Sequence, residues 1–177
     1  SFHVLSGTTA YPPVVFRYYF YRQPFWVPLL FGSATLAIGL ILPWLDSLLK
    51  RKSPAWGAQN LLRVGAGLFT FLALYWMSGF VPWATGGAKD LLLAAGAMFV
   101  WIFLDRSWQG ILFGCLTALV GTLSEVNLVR LGAFSYLPPR NNLWGVASWL
   151  PSLYFSASVA VGNLGRYLRQ RRGHVRD

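Results

Sequence analysis

The chain has 177 residues, 55% of them hydrophobic and 17% aromatic, and a net charge of +10 from 15 Lys plus Arg against 5 Asp plus Glu. With 11% charged residues and a mean hydropathy of +0.49, a soluble chain of this size would have to bury nearly every helix on all sides, which its surface-to-volume ratio forbids. The basic residues fall in the gaps between apolar runs, where anionic headgroups lie, and not along one soluble face, which excludes a nucleic-acid binder.

Residues 1–22 contain no candidate span. Their aromatic stretch from Phe16 to Arg22 suits the headgroup zone or an ordered loop. Five apolar segments follow, at about 26–45, 60–79, 88–104, 108–128 and 148–168, read against the roughly 20 residues needed to cross about 30 Å of hydrocarbon. Gln23–Leu45, Val64–Ala88 and Asn141–Gly165 run 23, 25 and 25 residues without a charge. The third segment is short, with 14 uncharged residues between Asp90 and Asp105, a length that also fits a re-entrant segment. Counting it puts Lys50, Arg51, Lys52, Arg63, Arg106, Arg166, Arg169, Arg171, Arg172 and Arg176 on the cytoplasmic side with the C-terminus, as the positive-inside rule requires. Lys89 is then expected to snorkel from the short third helix. The expected fold is an all-α polytopic transmembrane bundle, with residues 1–177 forming a single domain.

Helices in lipid pack closely where small residues let backbones approach. The fourth span carries Gly110, Gly114, Ala118 and Thr122 along one face, and the last carries Ser152, Ser156 and Ala160, so these two are expected to pair. The nine tryptophans lie near span ends and read as interfacial anchors.

Catalytic material is scarce. His3 and His174 lie near opposite chain ends, no HExxH or GxSxG occurs, and no Cys or His pair has metal-ligand spacing. No catalytic residue, metal or cofactor is expected. Asp46 and Asp105 fall at inner span ends, where each is read as meeting a basic neighbour, with Asp105 also capping the helix that follows; a carboxylate pair for an enzyme is the sharper alternative. If Asp105 is mainly a cap, Asp105→Asn costs about 1 kcal/mol. Glu125 lies about 30 Å along the helix from Asp105, near the outer boundary, where it either pairs with Arg130 or Arg140 or contacts a lipid head.

Ser148-Trp149-Leu150-Pro151, then Val161-Gly162-Asn163-Leu164-Gly165-Arg166, together with Phe103-Leu104-Asp105-Arg106-Ser107, Trp26-Val27-Pro28, Leu42-Pro43-Trp44-Leu45-Asp46-Ser47 and Gly132-Ala133-Phe134-Ser135-Tyr136, form an ordered set that resembles the Insig family. The resemblance covers most of the chain from Tyr11 onward. It implies six spans with both ends cytoplasmic, so that the five seen here correspond to the second through sixth and the first is expected upstream of Ser1. It further implies a non-enzymatic regulator that holds a sterol among its helices and, in animals, retains sterol-sensing-domain partners: the escort protein of the sterol-responsive transcription factors and the sterol-synthesis reductase. The partner-binding signature maps onto Asp105, Arg106 and Ser107.

Three departures bear on this: Trp108 replaces the family's second arginine, Ala88 stands where a sterol-site glutamine aligns, and Glu125 stands where animal members have threonine. The short, arginine-rich chain looks more like a bacterial homologue, for which the plasma membrane replaces the endoplasmic reticulum and a diacylglycerol-like lipid competes with a sterol as ligand. Ser33, Thr122 and Glu125 are the candidate lipid contacts, and a homo-oligomer is open. A small transporter using Glu125 is the rival function, and a membrane enzyme using Asp46 and Asp105 the third.

Overall fold

The computed structural model of the protein describes residues 2–12, 19–20, 23–49, 60–82 and 86–173. The Lys50-Arg51-Lys52 cluster, Arg176, His174 and most of the aromatic stretch from Phe16 to Arg22 lie outside the described residues. A short helix α1 (Phe2–Leu5) leads into strand β1 (Thr9–Ala10), and β2 (Tyr19–Phe20) pairs antiparallel with β3 (Gln23–Pro24). The long helices are α2 (Trp26–Leu48), α3 (Leu61–Phe80), α4 (Gly86–Leu104), α5 (Trp108–Arg130) and α6 (Leu150–Gly173), with β4 (Ser135–Tyr136) between the last two. All five predicted spans are therefore helices, in an all-α membrane bundle.

Four of them, α2 to α5, are long and apolar enough to cross a membrane. At 24 residues, α6 is long enough but more polar, and its position explains why: it packs against all four others. Ser156, Ser158, Asn163 and Arg166 are buried on it, where neighbouring helices and not lipid must satisfy them. The short β1–β4 pair, Thr9 opposite Tyr136 and Ala10 opposite Ser135, fastens residues 2–12 over the end of the bundle where α5 turns into α6. We term this the loop end, and the opposite end, with Asp46, Asp105 and Arg166, the arginine end.

The expected α5–α6 pair forms, though glycine admits rings there and does not meet another small residue. A Cβ on Gly114 would lie 2.7 Å from the Phe155 ring and one on Gly121 2.6 Å from that of Tyr154; Thr117 adds a hydrogen bond to the Ser158 hydroxyl (3.2 Å). The closest backbone approach joins α2 to α6. Pro43 has no N–H to return to the Gly39 carbonyl one turn earlier, and that oxygen lies so near Gly165 that a Cβ there would overlap it. By contrast, α2 and α5 both lean on α6 and barely meet each other.

Two expectations need correcting. Lys89 does not snorkel: it is buried, with Nζ 5.0 Å from the centre of the Trp149 ring, whose face attracts the cation in place of water. Trp149 is in the core, while Trp44, Trp76, Trp108 and Trp144 are exposed as anchors would be. At the loop end, buried His3 lies 2.8 Å from the Ser78 hydroxyl. Burial, with the positive charges of Lys89 and Arg140, lowers its pKa to about 3.

Candidate functional site

Because α2 and α5 both pack on α6 but barely meet each other, a cavity of about 350 Å³ opens between them. Its body is apolar, walled by Leu30, Ala34 and Ile38 of α2 and by Leu116 and Val120 of α5. Polarity is concentrated at the loop end, where Glu125 projects from the last turns of α5. One carboxylate oxygen accepts a hydrogen bond from the Tyr136 hydroxyl and the other from the Tyr154 hydroxyl, both at 2.6 Å. Burial and the adjoining carboxylate push the Tyr136 hydroxyl well above its usual range, so it remains a donor. Both bonds are at the short end of the O–H···O range. Glu125 is thus held by two phenols, not by Arg130 or Arg140 as the sequence suggested; Arg140 instead donates to the Gly7 carbonyl (2.8 Å).

The other candidate lipid contacts are placed elsewhere. Ser33 is on the exposed face of α2, donating to the Leu30 carbonyl (2.9 Å), and is off the cavity lining. Thr122 is buried, also off the lining, with its hydroxyl lacking a hydrogen-bond partner among the described residues. Tyr136, Tyr154, Tyr11 and His3, none of them offered by the sequence as a lipid contact, do line the cavity.

At the arginine end, α4 stops at Leu104 and Arg106 turns the chain with a φ of 54°, its N–H donating to the Trp101 carbonyl (3.1 Å). This is a left-handed helix cap of the kind glycine usually supplies, and a side chain there costs roughly 1–2 kcal/mol. Ser107 then caps α5, its hydroxyl accepting from the Gly110 N–H (3.0 Å). The sequence reading made Asp105 the cap; instead it holds the cap, with one oxygen accepting from both the N–H and the hydroxyl of Ser107.

The second Asp105 oxygen accepts from Arg166 (2.7 Å) and from the Asn163 amide (3.0 Å). Arg166 simultaneously donates to both oxygens of Asp46, at 2.6 and 2.8 Å. The expectation that each aspartate meets a basic neighbour is therefore fulfilled by one arginine, which ties α2 and the α4–α5 turn to α6. Of Asp105, Arg106 and Ser107, only Arg106 is exposed. Among the described residues no group of three or more His, Cys, Asp or Glu residues is placed to hold a metal ion.

Comparison with known proteins agrees with this architecture. The model of the insulin-induced protein (INSIG) family matches residues 5–169. Insulin-induced gene 1 protein of Danio rerio is 34% identical over 165 residues, covering 93% of this chain and 64% of the relative; that of Gallus gallus is 32% identical with the same coverage. The chain thus spans somewhat under two thirds of the length of these relatives. A crystal structure of a mycobacterial Insig homologue from Mycobacterium vanbaalenii superposes with a TM-score of 0.84 at 30% identity, covering 97% of this chain and 86% of that one. A cross-linked trimer of the same homologue, carrying an arginine-to-cysteine substitution, matches equally well.

Proposed function

This chain belongs to the insulin-induced protein (INSIG) family and is an integral membrane protein, and we propose that it works as a membrane lipid sensor that acts through protein association. In this reading a lipid with a small polar head, a sterol or a diacylglycerol, seats between α2 and α5, its head at Glu125 and its hydrocarbon along the apolar walls. The observation that carries the reading is the cavity itself: about 350 Å³, within the roughly 300–1,000 Å³ of small-molecule sites, with mostly apolar walls and a carboxyl group clasped by two phenols at one end. The carboxyl group can accept from a lipid hydroxyl. Glu125 is the contact we retain; Thr122 and Ser33 would reach a ligand only after rearrangement.

The C-terminal arginines favour a cytoplasmic C-terminus. For association, Arg106 supplies the exposed contact while Asp105 and Ser107 hold its turn. A sterol-sensing-domain partner fits a eukaryotic setting, and the trimer of the mycobacterial homologue supports self-association. We read the protein as non-catalytic, since Asp46 and Asp105 are engaged by Arg166 and Glu125 by two tyrosines.

Purification in mild detergent followed by mass spectrometry of retained lipids tests the reading. A sterol or diacylglycerol should co-purify, and adding it at about 100 times its Kd should stabilise the fold by about 2.7 kcal/mol, raising the melting temperature. Absence of retained lipid together with an unshifted melting temperature would overturn it, as would substrate flux in vesicles that vanished in Glu125→Gln.

A further inference from the structure

We propose a second lipid site, for one anionic phospholipid, in the groove between α2 and α6 at the arginine end. The groove has a volume of about 390 Å³ and lies across α2 from the first cavity: Ala34, Ala37 and Ile38 face the cavity, while Leu36, Gly39 and Leu40 face the groove. Its depth follows from the sequence. Gly39 and Gly165 both line it, at the point where α2 and α6 approach most closely, so no side chain fills the floor there, and leucines form the walls.

The chemistry of the groove changes at one end, where Arg169 and Arg172 close it beside exposed Trp44. Spaced by three residues, the two arginines share a face of α6. Val161, also in the lining, lies about 16 Å along the helix from Arg172, so the groove carries an acyl chain in the hydrocarbon and delivers its head to the guanidinium groups. Arg169 is already steadied, donating one N–H to the Pro43 carbonyl, and a guanidinium has five N–H donors in a planar fork suited to phosphate.

The neighbouring carboxylates do not compete. Asp46 and Asp105 are hydrogen-bonded to Arg166 and neither lines the groove. A zwitterionic head would bring its ammonium against two like charges, whereas an anionic head leaves its phosphate charge to them. Basic pockets between helices at the cytoplasmic boundary recognise lipid heads in this way. The site is independent of whatever occupies the first cavity.

The test uses the full chain in an uncharged detergent, with phosphatidylglycerol and phosphatidylcholine of matched acyl chains added in equal amount and retention read by native mass spectrometry. One phosphatidylglycerol per chain should be retained in preference to phosphatidylcholine. Arg169→Gln with Arg172→Gln should cut that preference about thirtyfold, while Arg63→Gln with Arg171→Gln, which removes equal charge from the same end outside the groove lining, should keep most of it. Leu36→Trp, which fills the groove without changing charge, should also lower retention. No preference in the native chain, equal losses in both arginine pairs, or full retention in Leu36→Trp would each overturn the site. Oligomers that exclude phosphatidylglycerol would assign the groove to a second copy of the chain and overturn it as well.

Discussion

Asp105→Asn separates a capping residue from a structural keystone. The residue is 1% exposed and its carboxylate accepts at both oxygens: from Ser107 on one side, from Arg166 and Asn163 on the other. Asparagine keeps the shape but replaces one acceptor with an NH2, which must then face either the donors of Arg166 and Asn163 or the Ser107 N–H. Breaking a buried ion pair by removing one partner costs about 3–5 kcal/mol. Against this, Asp46 and Asp105 share one arginine, so neutralising either relieves an excess negative charge. That relief is small, because the Asp46 side chain is 17% exposed against 0% for Asp105 and leaves the excess charge on the wetter carboxylate; an exposed pair is worth about 0–1 kcal/mol.

The net loss should be roughly 2–4 kcal/mol, near 10 °C in melting temperature for a chain of this length. Ser107→Ala, which removes the cap and the hydroxyl's bond to Asp105 but leaves Arg166 and Asn163 in place, should cost about 1 kcal/mol. Thermal unfolding of both variants in the same detergent, followed by tryptophan fluorescence, makes the comparison. If Asp105→Asn melts no lower than Ser107→Ala, the carboxylate only buttresses the cap and Arg166 is satisfied by Asp46.

Glu125→Gln replaces one of the two oxygens that accept from the phenols with an NH2; since a buried group left without its hydrogen bond costs about 1–3 kcal/mol, diacylglycerol or sterol retention should fall about fivefold or more, and unchanged retention would move the head away from Glu125. Gly165→Ala forces a methyl into the Gly39 carbonyl; overpacking costs about 1–3 kcal/mol, so the melting temperature should drop, and a native value would mean that the helices are less closely apposed. His3 gives a pH dependence. Its pKa is about 3 in the fold against 6.5 ordinarily, so between those values the unfolded chain binds a proton that the folded chain refuses. Stability from this residue is full above pH 6.5 and declines as the pH falls toward 3; melting at pH 7 and pH 5 should show the loss, and His3→Gln should flatten it.

Much of the bundle was legible because its signal is long and local. Apolar runs of about 20 residues read as helices in hydrocarbon, and their ends follow roughly from Asp, Arg and Pro. What hydropathy does not encode is rotation. Ser33 has the composition of a ligand contact, yet α2 is apolar all round and nothing in the sequence says which face meets the cavity. The clasp on Glu125 was invisible for a different reason: Tyr136 and Tyr154 come from separate elements, 11 and 29 residues away. Arg166 did leave a trace. Counted only as one cytoplasmic charge among several, it is the first arginine of the last span and follows Asn163 by one helical turn, at the depth where Asp46 and Asp105 also end their spans. Three ionisable groups at one depth in a membrane are expected to find one another.

The distribution of side-chain size along α6 explains why a cavity and a groove exist at all. Toward the arginine end α6 presents Gly162 and Gly165, into which Leu42 and the Gly39 carbonyl of α2 fit, and the Arg166–Asp46 pair locks that contact. Toward the loop end it presents Tyr154 and Phe155, whose rings are received by glycines of α5. Each neighbour is thus drawn to α6 and not to the other, and the space between α2 and α5 stays open. Filling it would require large side chains on the facing surfaces of α2 and α5, where Ala34, Ala37 and Gly121 stand instead. An aromatic residue at Ala34 or Ala37 should therefore occupy the cavity without disturbing the α2–α6 contact. It should abolish retention of a diacylglycerol or sterol while leaving the melting temperature of the lipid-free protein unchanged or raised. A lower melting temperature in both variants would instead show that the space is already filled by packing in the native chain.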